Sequence, residues 1–265
     1  MKIGKSIIPH TAISTSSEQR IVVRGHDLSR DLIGHVNFGD YFFLLLTGKM
    51  PDAATSALVN ATMVAIAEHG LVPSNQAARM TLAAAPDAMQ GAVAAGILGA
   101  GSVVLGASET AGKLFLRVEA EAAANHGGDL KAAAKAVVAD LRANKQIVPG
   151  YGHPEHKSAD PRVGALFALS ARVGGGQKYV ELSRIIESVI PEVTGKDLPM
   201  NVSAAIPAVL MGVNFPVTAL KGVPMLARVA SLIAHLNEEM ADPIGFALAN
   251  HAVSQQQYTG IPAKD

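Results

Sequence analysis

Apolar residues at three- and four-residue spacing recur through this sequence and predict helices along most of its length. The segment TSALVNATMVAIAEH (55–69) has this spacing, and its alanines add strong helix propensity. Alternation of Val, Ile and Thr long enough for a sheet is missing, apart from the short RIVVRG (20–25). We therefore predict a nearly all-α fold. The predicted helices span 55–69, 107–125, 130–144, 160–173, 178–190 and 224–240, with breaks at 127–128, 147–156, 174–176 and Pro191.

Two stretches without charged side chains, Ala88 to Ser108 and Leu198 to Leu220, reach the length of a membrane span. Glycines interrupt the first stretch and prolines the second, which favours buried helices joined by tight turns. The segment 1–20 carries two lysines but no sustained apolar core, which is atypical of a secretory signal. We expect a cytoplasmic protein with no membrane partner.

Composition narrows the possible functions further. Lys plus Arg and Asp plus Glu each number 22, so there is no net positive field to bind nucleic-acid phosphates. Tryptophan is absent and aromatic residues make up 4%, which leaves few surfaces on which bases can stack. The chain has no cysteine, which excludes disulfides and thiolate metal sites. We expect no nucleic-acid partner, and extensive burial because 49% of the residues are hydrophobic.

The loop PGYGHPEHKSADPR (149–162) interrupts the helices with rigid and charged residues. Its glycines allow backbone amides to approach a ligand closely. His153 can exchange a proton near neutral pH, and Lys157 and Arg162 supply positive charge. These residues suit an anionic ligand with a carbonyl or hydroxyl group to be polarised.

Two other interpretations of the same loop stay open. It could be a helix-capping loop whose histidines bind only backbone groups. A metal site formed by His153, Glu155 and His156 is less favoured, because such close neighbours would have to face one ion and no HExxH helix is present. We expect no metal.

VPGYGH (148–153) and DPR (160–162) resemble the signature of the citrate synthase family. The chain lacks the long helical insert of full-length citrate synthases, and this short form resembles citryl-CoA lyase, including the lyase region of ATP-citrate lyase. Further family-like segments occur in the family's order: RGHDLSRDLIGHVNFGDYFFLLLTGKMP (24–51), EHGLVPS (68–74), VLGASETAGKLF (104–115), LPMNVSAA (198–205), ARVASLIAHLNEE (227–239) and QYTG (257–260).

The resemblance implies a citrate-synthase-like fold in which a large and a smaller helical domain close over a CoA thioester. The large domain would comprise 1–104 and 216–265, and the small domain 105–215. The protein would form a homodimer or higher homo-oligomer. A coenzyme A thioester would be a substrate, and no cofactor would be bound permanently.

The resemblance also implies roles for individual residues. His153 matches the histidine that exchanges a proton with the oxaloacetate carbonyl or citryl hydroxyl. His69 matches a substrate-binding histidine, and Arg162 and Arg228 match two carboxylate-binding arginines. Lys157 lies where a base contacts CoA phosphate. The loop whose backbone holds the CoA adenine is matched by Val148, Pro149, Gly150, Tyr151 and Gly152.

Three positions depart from the family pattern. Val104 replaces the histidine that stabilises the enolate, and Val253 replaces a third carboxylate-binding arginine. Ser203 replaces the aspartate that moves the acetyl proton. We take Ser203 as the second catalytic candidate, through a water that it holds, with Glu155 and His156 as alternative proton donors.

Simpler structural roles exist for the matched residues. His69 could end its helix near the C-terminal dipole. Arg228 could extend along an amphipathic helix toward solvent. Ser203 could cap a helix that begins near Asn201.

The sequence and its resemblance predict a carbon–carbon lyase similar to citryl-CoA lyase. It would cleave or form the bond between an acyl-CoA α-carbon and a 2-oxo acid such as oxaloacetate. One alternative is a CoA-binding regulatory or assembly subunit without catalysis. The other is the same chemistry on a less anionic acid.

Overall fold

A computed structural model describes residues 9–101, 105–152 and 158–261. A small antiparallel sheet precedes the helices, with β2 (Ile21–Val23) between β1 (Ser14–Ser16) and β3 (His26–Asp27). Short helical turns cover Leu28–Leu32 and Val217–Ala219. The α-helices are α1 (Phe38–Thr47), α2 (Ala53–Ala67), α3 (Pro73–Ala84), α4 (Met89–Leu98), α5 (Ala107–Asn125), α6 (Leu130–Ala143), α7 (Pro161–Val173), α8 (Gln177–Thr194), α9 (Val202–Met211), α10 (Gly222–Ala241) and α11 (Gly245–Ser254).

The predicted all-α class is confirmed, and the six predicted helices correspond to α2, α5, α6, α7, α8 and α10. The predicted break at Pro191 is wrong, because α8 continues to Thr194. A proline in the last turn removes one backbone hydrogen bond, and the buried apolar face of α8 packs against α6 and α9. The helix ends instead at Gly195, whose φ of 71° is left-handed.

The central helix of the largest apolar cluster is α9. Every residue of α9 except Ser203 is buried, and the helix packs against α5, α7, α8 and α2. A second cluster joins α3, α4 and α10 through Ala78, Leu82, Ala92, Leu232 and Leu236. The larger cluster includes residues from both predicted domains, such as Leu58 and Val209, and the domain boundaries stay a prediction.

The two uncharged stretches differ in their burial. Leu198 to Leu220 contains the buried helix α9, as expected. Ala88 to Ser108 contains α4, which buries Ala92 and Gly96 and leaves Leu98 86% exposed, so the expected burial is only partial there. Within the described residues, Val217–Ala241 is the one helical stretch long and apolar enough to span a membrane by length and composition alone. It packs against α2, α3 and α4, and the core helix of a water-soluble protein gives the same signal.

Candidate active site

Asn201 joins the 148–152 loop to the start of α9. Its backbone N–H donates to the Gly150 carbonyl at 2.9 Å, and its side-chain amide donates to the Gly152 carbonyl at 2.6 Å. The N–H of Gly152 donates to the Pro199 carbonyl at 2.7 Å. The same Asn201 side chain caps α9. One residue therefore sets the loop conformation and the start of the helix together.

Tyr151 anchors the same loop from inside the protein. It is buried, it pairs with Met200, and its hydroxyl donates to the Ser183 carbonyl of α8 at 2.7 Å. Burial, and then the charge of Glu187, raise the pKa of Tyr151 well above its ordinary value. The Tyr151 N–H donates to the carbonyl of buried Val148 at 3.2 Å. The loop amides at 151 and 152 are therefore already used inside the protein.

The two glycines of the loop are needed for different reasons. Gly150 and Gly152 both have left-handed φ values, 87° and 83°. A Cβ on Gly150 would lie 2.5 Å from the Ala204 Cβ, whereas a Cβ on Gly152 would meet, among the described residues, only Leu198, at 3.5 Å. From the sequence, these glycines were expected to let the backbone amides approach a ligand closely. The structure shows that Gly150 is required by the packing of the loop on α9.

Asp160 connects the first turn of α7 to the first turn of α9. Its carboxylate accepts from the Arg162 N–H at 3.1 Å and from the Val202 N–H at 2.9 Å. The Arg162 guanidinium binds the same carboxylate at 2.9 and 2.8 Å. Burial opposes ionisation, but the bonds from Arg162 and Val202 outweigh it and hold the pKa of Asp160 below its ordinary value. Arg162 is thereby fixed in one orientation with its side chain 18% exposed.

Arg228 lies on α10 with its side chain 3% exposed. Its hydrogen bonds are long, 3.5 Å to Asn75 Oδ1 and 3.4 Å to the Ile66 carbonyl, and its Nε has no partner within the described structure. The alternative in which Arg228 extends toward solvent is therefore wrong. A buried cation with an unpartnered N–H is costly unless an anion binds to it.

Electrostatics link Arg228 to the residues around it. Burial lowers the pKa of Arg228, Glu68 opposes this effect, and the charge of Arg162 lowers it further. The two guanidinium groups thus interact electrostatically, although they are 66 positions apart in the sequence (162 and 228).

Glu68 follows the last residue of α2 and holds the turn that contains His69. One carboxylate oxygen accepts from the N–H groups of His69 and Gly70 at 2.9 and 2.5 Å. The other accepts from the Ser231 hydroxyl and from His235 Nε2 at 3.1 Å. Burial would raise the pKa of Glu68, but these donors lower it to about 2. Glu68 is therefore ionised at neutral pH.

A groove of about 610 Å³ lies beside Asp160, and residues of α7 and α8 line it. Phe167, Arg184 and Met200 are among its lining residues, and the Arg184 guanidinium lies 5.3 Å from the centre of the Phe167 ring. Met200 pairs with Tyr151, so the groove borders the 148–152 loop. Arg162 and Arg228 do not line it.

A family model described as "Citrate synthase, C-terminal domain" matches residues 52–245, well over half of the sequence. The chain belongs to this citrate synthase family. The resemblance is confirmed at the level of the family, and the matched range contains the loop and every quoted segment except 24–51 and 257–260.

Individual relatives agree with this assignment. Citrate synthase from Synechocystis sp. is 28% identical over 212 residues, which cover 78% of this chain and 50% of that protein. The chain thus spans about half the length of the curated relatives that it matches. A citryl-CoA lyase structure from Hydrogenobacter thermophilus matches with a TM-score of 0.85 and 28% identity, covering 98% of this chain and 97% of that one. ATP citrate lyase from Methanothrix soehngenii, solved with citrate and coenzyme A, shares the fold at 21% identity and a TM-score of 0.79, with 99% of this chain and 43% of that one covered.

Several predicted residues fall outside the described part of the chain. His153 and Lys157 lie there, as do Glu155 and His156, the alternative proton donors, and Val104. Their predicted roles, and a metal site at 153–156, stay sequence-based. Within the described residues, no cluster of three His, Cys, Asp or Glu side chains could hold a metal ion.

Ser203 and His69 can be compared with their simpler roles. Ser203 does not cap α9, because Asn201 does so by accepting from the Ser203 N–H at 2.9 Å. The Ser203 side chain is partly exposed, and within the described residues its hydroxyl makes no hydrogen bond. His69 does not end α2, which stops at Ala67. Ser203 therefore does not have the capping role that sequence alone suggested, and His69 lies two residues beyond the last residue of α2.

Sequence reasoning missed Glu68, Ser231 and His235. A signal was present, since Arg228, Ser231, His235 and Glu239 follow each other at intervals of three and four residues. That spacing places polar side chains along one face of α10. The face is buried or half-buried, and polar groups there require partners.

Proposed function

We propose that this chain cleaves or forms the carbon–carbon bond between the α-carbon of an acyl-CoA and a 2-oxo acid, in a reaction like that of citryl-CoA lyase. Family membership and the end-to-end match to a citryl-CoA lyase structure support the reaction class. The observation that carries the proposal is the buried, incompletely paired guanidinium of Arg228, whose charge also interacts with that of Arg162.

The number of arginine side chains supports a dicarboxylate substrate portion. Citrate has three carboxyl groups, and one becomes the thioester in citryl-CoA, which leaves two carboxylates. Arg228 offers an unpartnered Nε, and Arg162 is pre-oriented by Asp160. Charge-assisted bonds from arginine to carboxylate are among the stronger hydrogen bonds in proteins. Two arginines therefore suit two carboxylates.

The proposed chemistry assigns the first proton transfer to His153. In the cleavage direction the His153 imidazole takes the hydroxyl proton, and the oxygen forms the new carbonyl of the 2-oxo acid as the carbon–carbon bond breaks. The bonding electrons form the enolate of the acyl-CoA. A water held by Ser203 protonates the enolate carbon, and the hydroxide that remains receives the proton that His153 took. Backbone N–H groups or water stabilise the enolate oxygen, since Val104 has no donor.

Coenzyme A is proposed as a substrate rather than a resident cofactor. The 148–152 loop would hold its adenine, and Lys157 its phosphate. The neighbouring groove supports this, because it offers about 610 Å³ of space with the Arg184 cation on its wall. Salt should weaken the phosphate contact, because screening shortens the range of exposed charges.

A less anionic acid is the second candidate. Val253 occupies the position of the expected third arginine, and its side chain is 64% exposed on α11. A substrate with one carboxylate fewer, such as a citramalyl-type thioester, would leave less negative charge to neutralise.

We also propose a cytoplasmic homo-oligomer. Helix α11 is apolar yet buries only Gly245, and Phe246 is 65% exposed. Met240 at the end of α10 is 57% exposed. Apolar patches of this kind are covered in many proteins by another subunit.

The test is mass spectrometry of CoA products after incubation with citryl-CoA and citramalyl-type thioesters. Wild-type protein should release acetyl-CoA and the 2-oxo acid, and Arg228→Met should not. Arg172→Met serves as the matched control, because Arg172 is an exposed cation near the end of α7. CoA binding without any turnover would instead support the non-catalytic subunit.

A further inference from the structure

Behind Glu68 lies a second layer of charged groups. Arg79 on α3 is 2% exposed, and its Nε and one terminal nitrogen lie 3.1 and 3.0 Å from His235 Nδ1. Its other terminal nitrogen donates to buried Glu239 at 3.1 Å, and the terminal nitrogen near His235 also pairs with Glu238. The chain Glu68–His235–Arg79–Glu239 therefore ties the end of α2 to α3 and α10.

The contacts assign the tautomer of His235. A guanidinium can only donate, so His235 Nδ1 must accept from Arg79. Glu68 accepts at the other side of the ring, so Nε2 carries the proton. His235 is thus a neutral imidazole whose two ring nitrogens form hydrogen bonds with Arg79 and with Glu68.

Glu68 is half-exposed beside the candidate substrate residues, which makes it a candidate for the carboxylate that Ser203 replaces. The geometry argues against that role. Four donors contact its two oxygens: two backbone N–H groups, a hydroxyl and an imidazole N–H. A carboxylate has about four acceptor positions, so none is left for a substrate proton.

We propose that Glu68 is a positioning residue that fixes the His69–Gly70 turn onto α10, so that His69 and Arg228 face the same substrate. Ser231 is three residues after Arg228, on the same side of α10. The carboxylate thus joins the backbone of the histidine turn to the helix that holds the arginine. The inference rests on the proposed function, because it concerns binding of the same carboxylate substrate.

Glu68→Gln is the direct test, because it keeps the shape and removes the charge. The new amide NH₂ would face donors that Glu68 accepts from, so at least one contact is lost. Hydrogen bonds to charged groups contribute enough that we expect KM for citryl-CoA to rise about 10- to 100-fold. The Kd for free CoA, measured by calorimetry, should stay unchanged, because Glu68 contacts no residue of the 148–152 loop among those described.

Two further variants complete the design. Glu238→Gln is the matched control, because Glu238 also pairs with Arg79 but is 65% exposed and makes no bond to the His69 turn among the described contacts. Ser231→Ala removes one of the four donors and keeps the charge, so it gives a milder variant if Glu68→Gln does not fold. It should raise KM by several-fold, in the same direction. Hydrogen exchange at the His69 and Gly70 amides provides a readout independent of activity, and should accelerate in Glu68→Gln.

The outcomes separate the two proposals. Higher KM with faster amide exchange in Glu68→Gln, and neither in Glu238→Gln, supports positioning. This inference is overturned if the wild type turns over normally and KM is unchanged in Glu68→Gln. If only Ser231→Ala folds, an unchanged KM in that variant has the same meaning. The proposed function stays intact in both cases. A wild-type protein with no turnover of any thioester overturns the proposed function, and this inference with it.

Discussion

Replacing Gly150 by alanine should disrupt the junction between the 148–152 loop and α9. The perturbation is local, because it adds one methyl group. Gly150 has a φ of 87°, and the new Cβ would lie 2.5 Å from the Ala204 Cβ and 3.0 Å from the Ala204 Cα and N. Those atoms belong to the first turn of a buried helix, which has little room to move.

The expected magnitude has two parts. An L-residue in the left-handed region costs about 1–2 kcal/mol. Overpacking of a well-packed core adds about 1–3 kcal/mol. Gly150→Ala should therefore lower the free energy of unfolding by about 2–5 kcal/mol. Gly152→Ala should cost only the conformational part, about 1–2 kcal/mol, because its nearest contact of 3.5 Å is ordinary.

Urea unfolding followed by circular dichroism at one fixed protein concentration measures both variants. Concentration must be held constant because subunit association contributes to apparent stability. The proposed CoA site adds a second readout: Gly150→Ala should weaken CoA binding more than Gly152→Ala does. If Gly150→Ala is no more destabilising than Gly152→Ala, the argument that Ala204 packing requires the glycine is refuted.

Four further outcomes are expected. Arg228→Met should leave the urea midpoint unchanged or raise it, since it removes an incompletely paired buried charge, and a large drop would contradict that reasoning. Arg79→Met should lower the free energy of unfolding by about 3–5 kcal/mol, because Glu239, which is 3% exposed, loses its cation. A loss under about 1 kcal/mol would argue against a stabilising role of the Glu68–His235–Arg79–Glu239 chain. Glu68 has a pKa of about 2 in the folded protein against an ordinary 4.5, so its contribution to stability is complete above pH 4.5 and is lost as pH falls toward 2. Urea midpoints measured from pH 6 to pH 2.5 should therefore decline less in Glu68→Gln than in the wild type. Phe246→Ser should reduce the mass measured by light scattering if α11 lies in a subunit interface, whereas an unchanged mass would direct the search to another surface.

The sequence alone determined the helical class and most helix positions. Three- and four-residue spacing in an alanine-rich chain is a local property, and it located α5 at 107–125 without any tertiary information. Local spacing failed at Pro191, because the packing of α8 against its neighbours outweighed the loss of one hydrogen bond. The ordered family segments identified Arg162 and Arg228 as candidate carboxylate-binding residues, but they did not show which groups surround either side chain.

Only the tertiary structure decided how those candidates are held. Burial and the lack of a partner for Arg228 Nε depend on residues from α2 and α3, which no local pattern includes. The Glu68–His235–Arg79 chain joins residues more than 150 positions apart, from Arg79 to His235. Hydrogen bonds act over about 3 Å, so such contacts exist only after the chain has folded. Sequence periodicity therefore predicts which face of α10 is polar, and folding alone decides what that face binds.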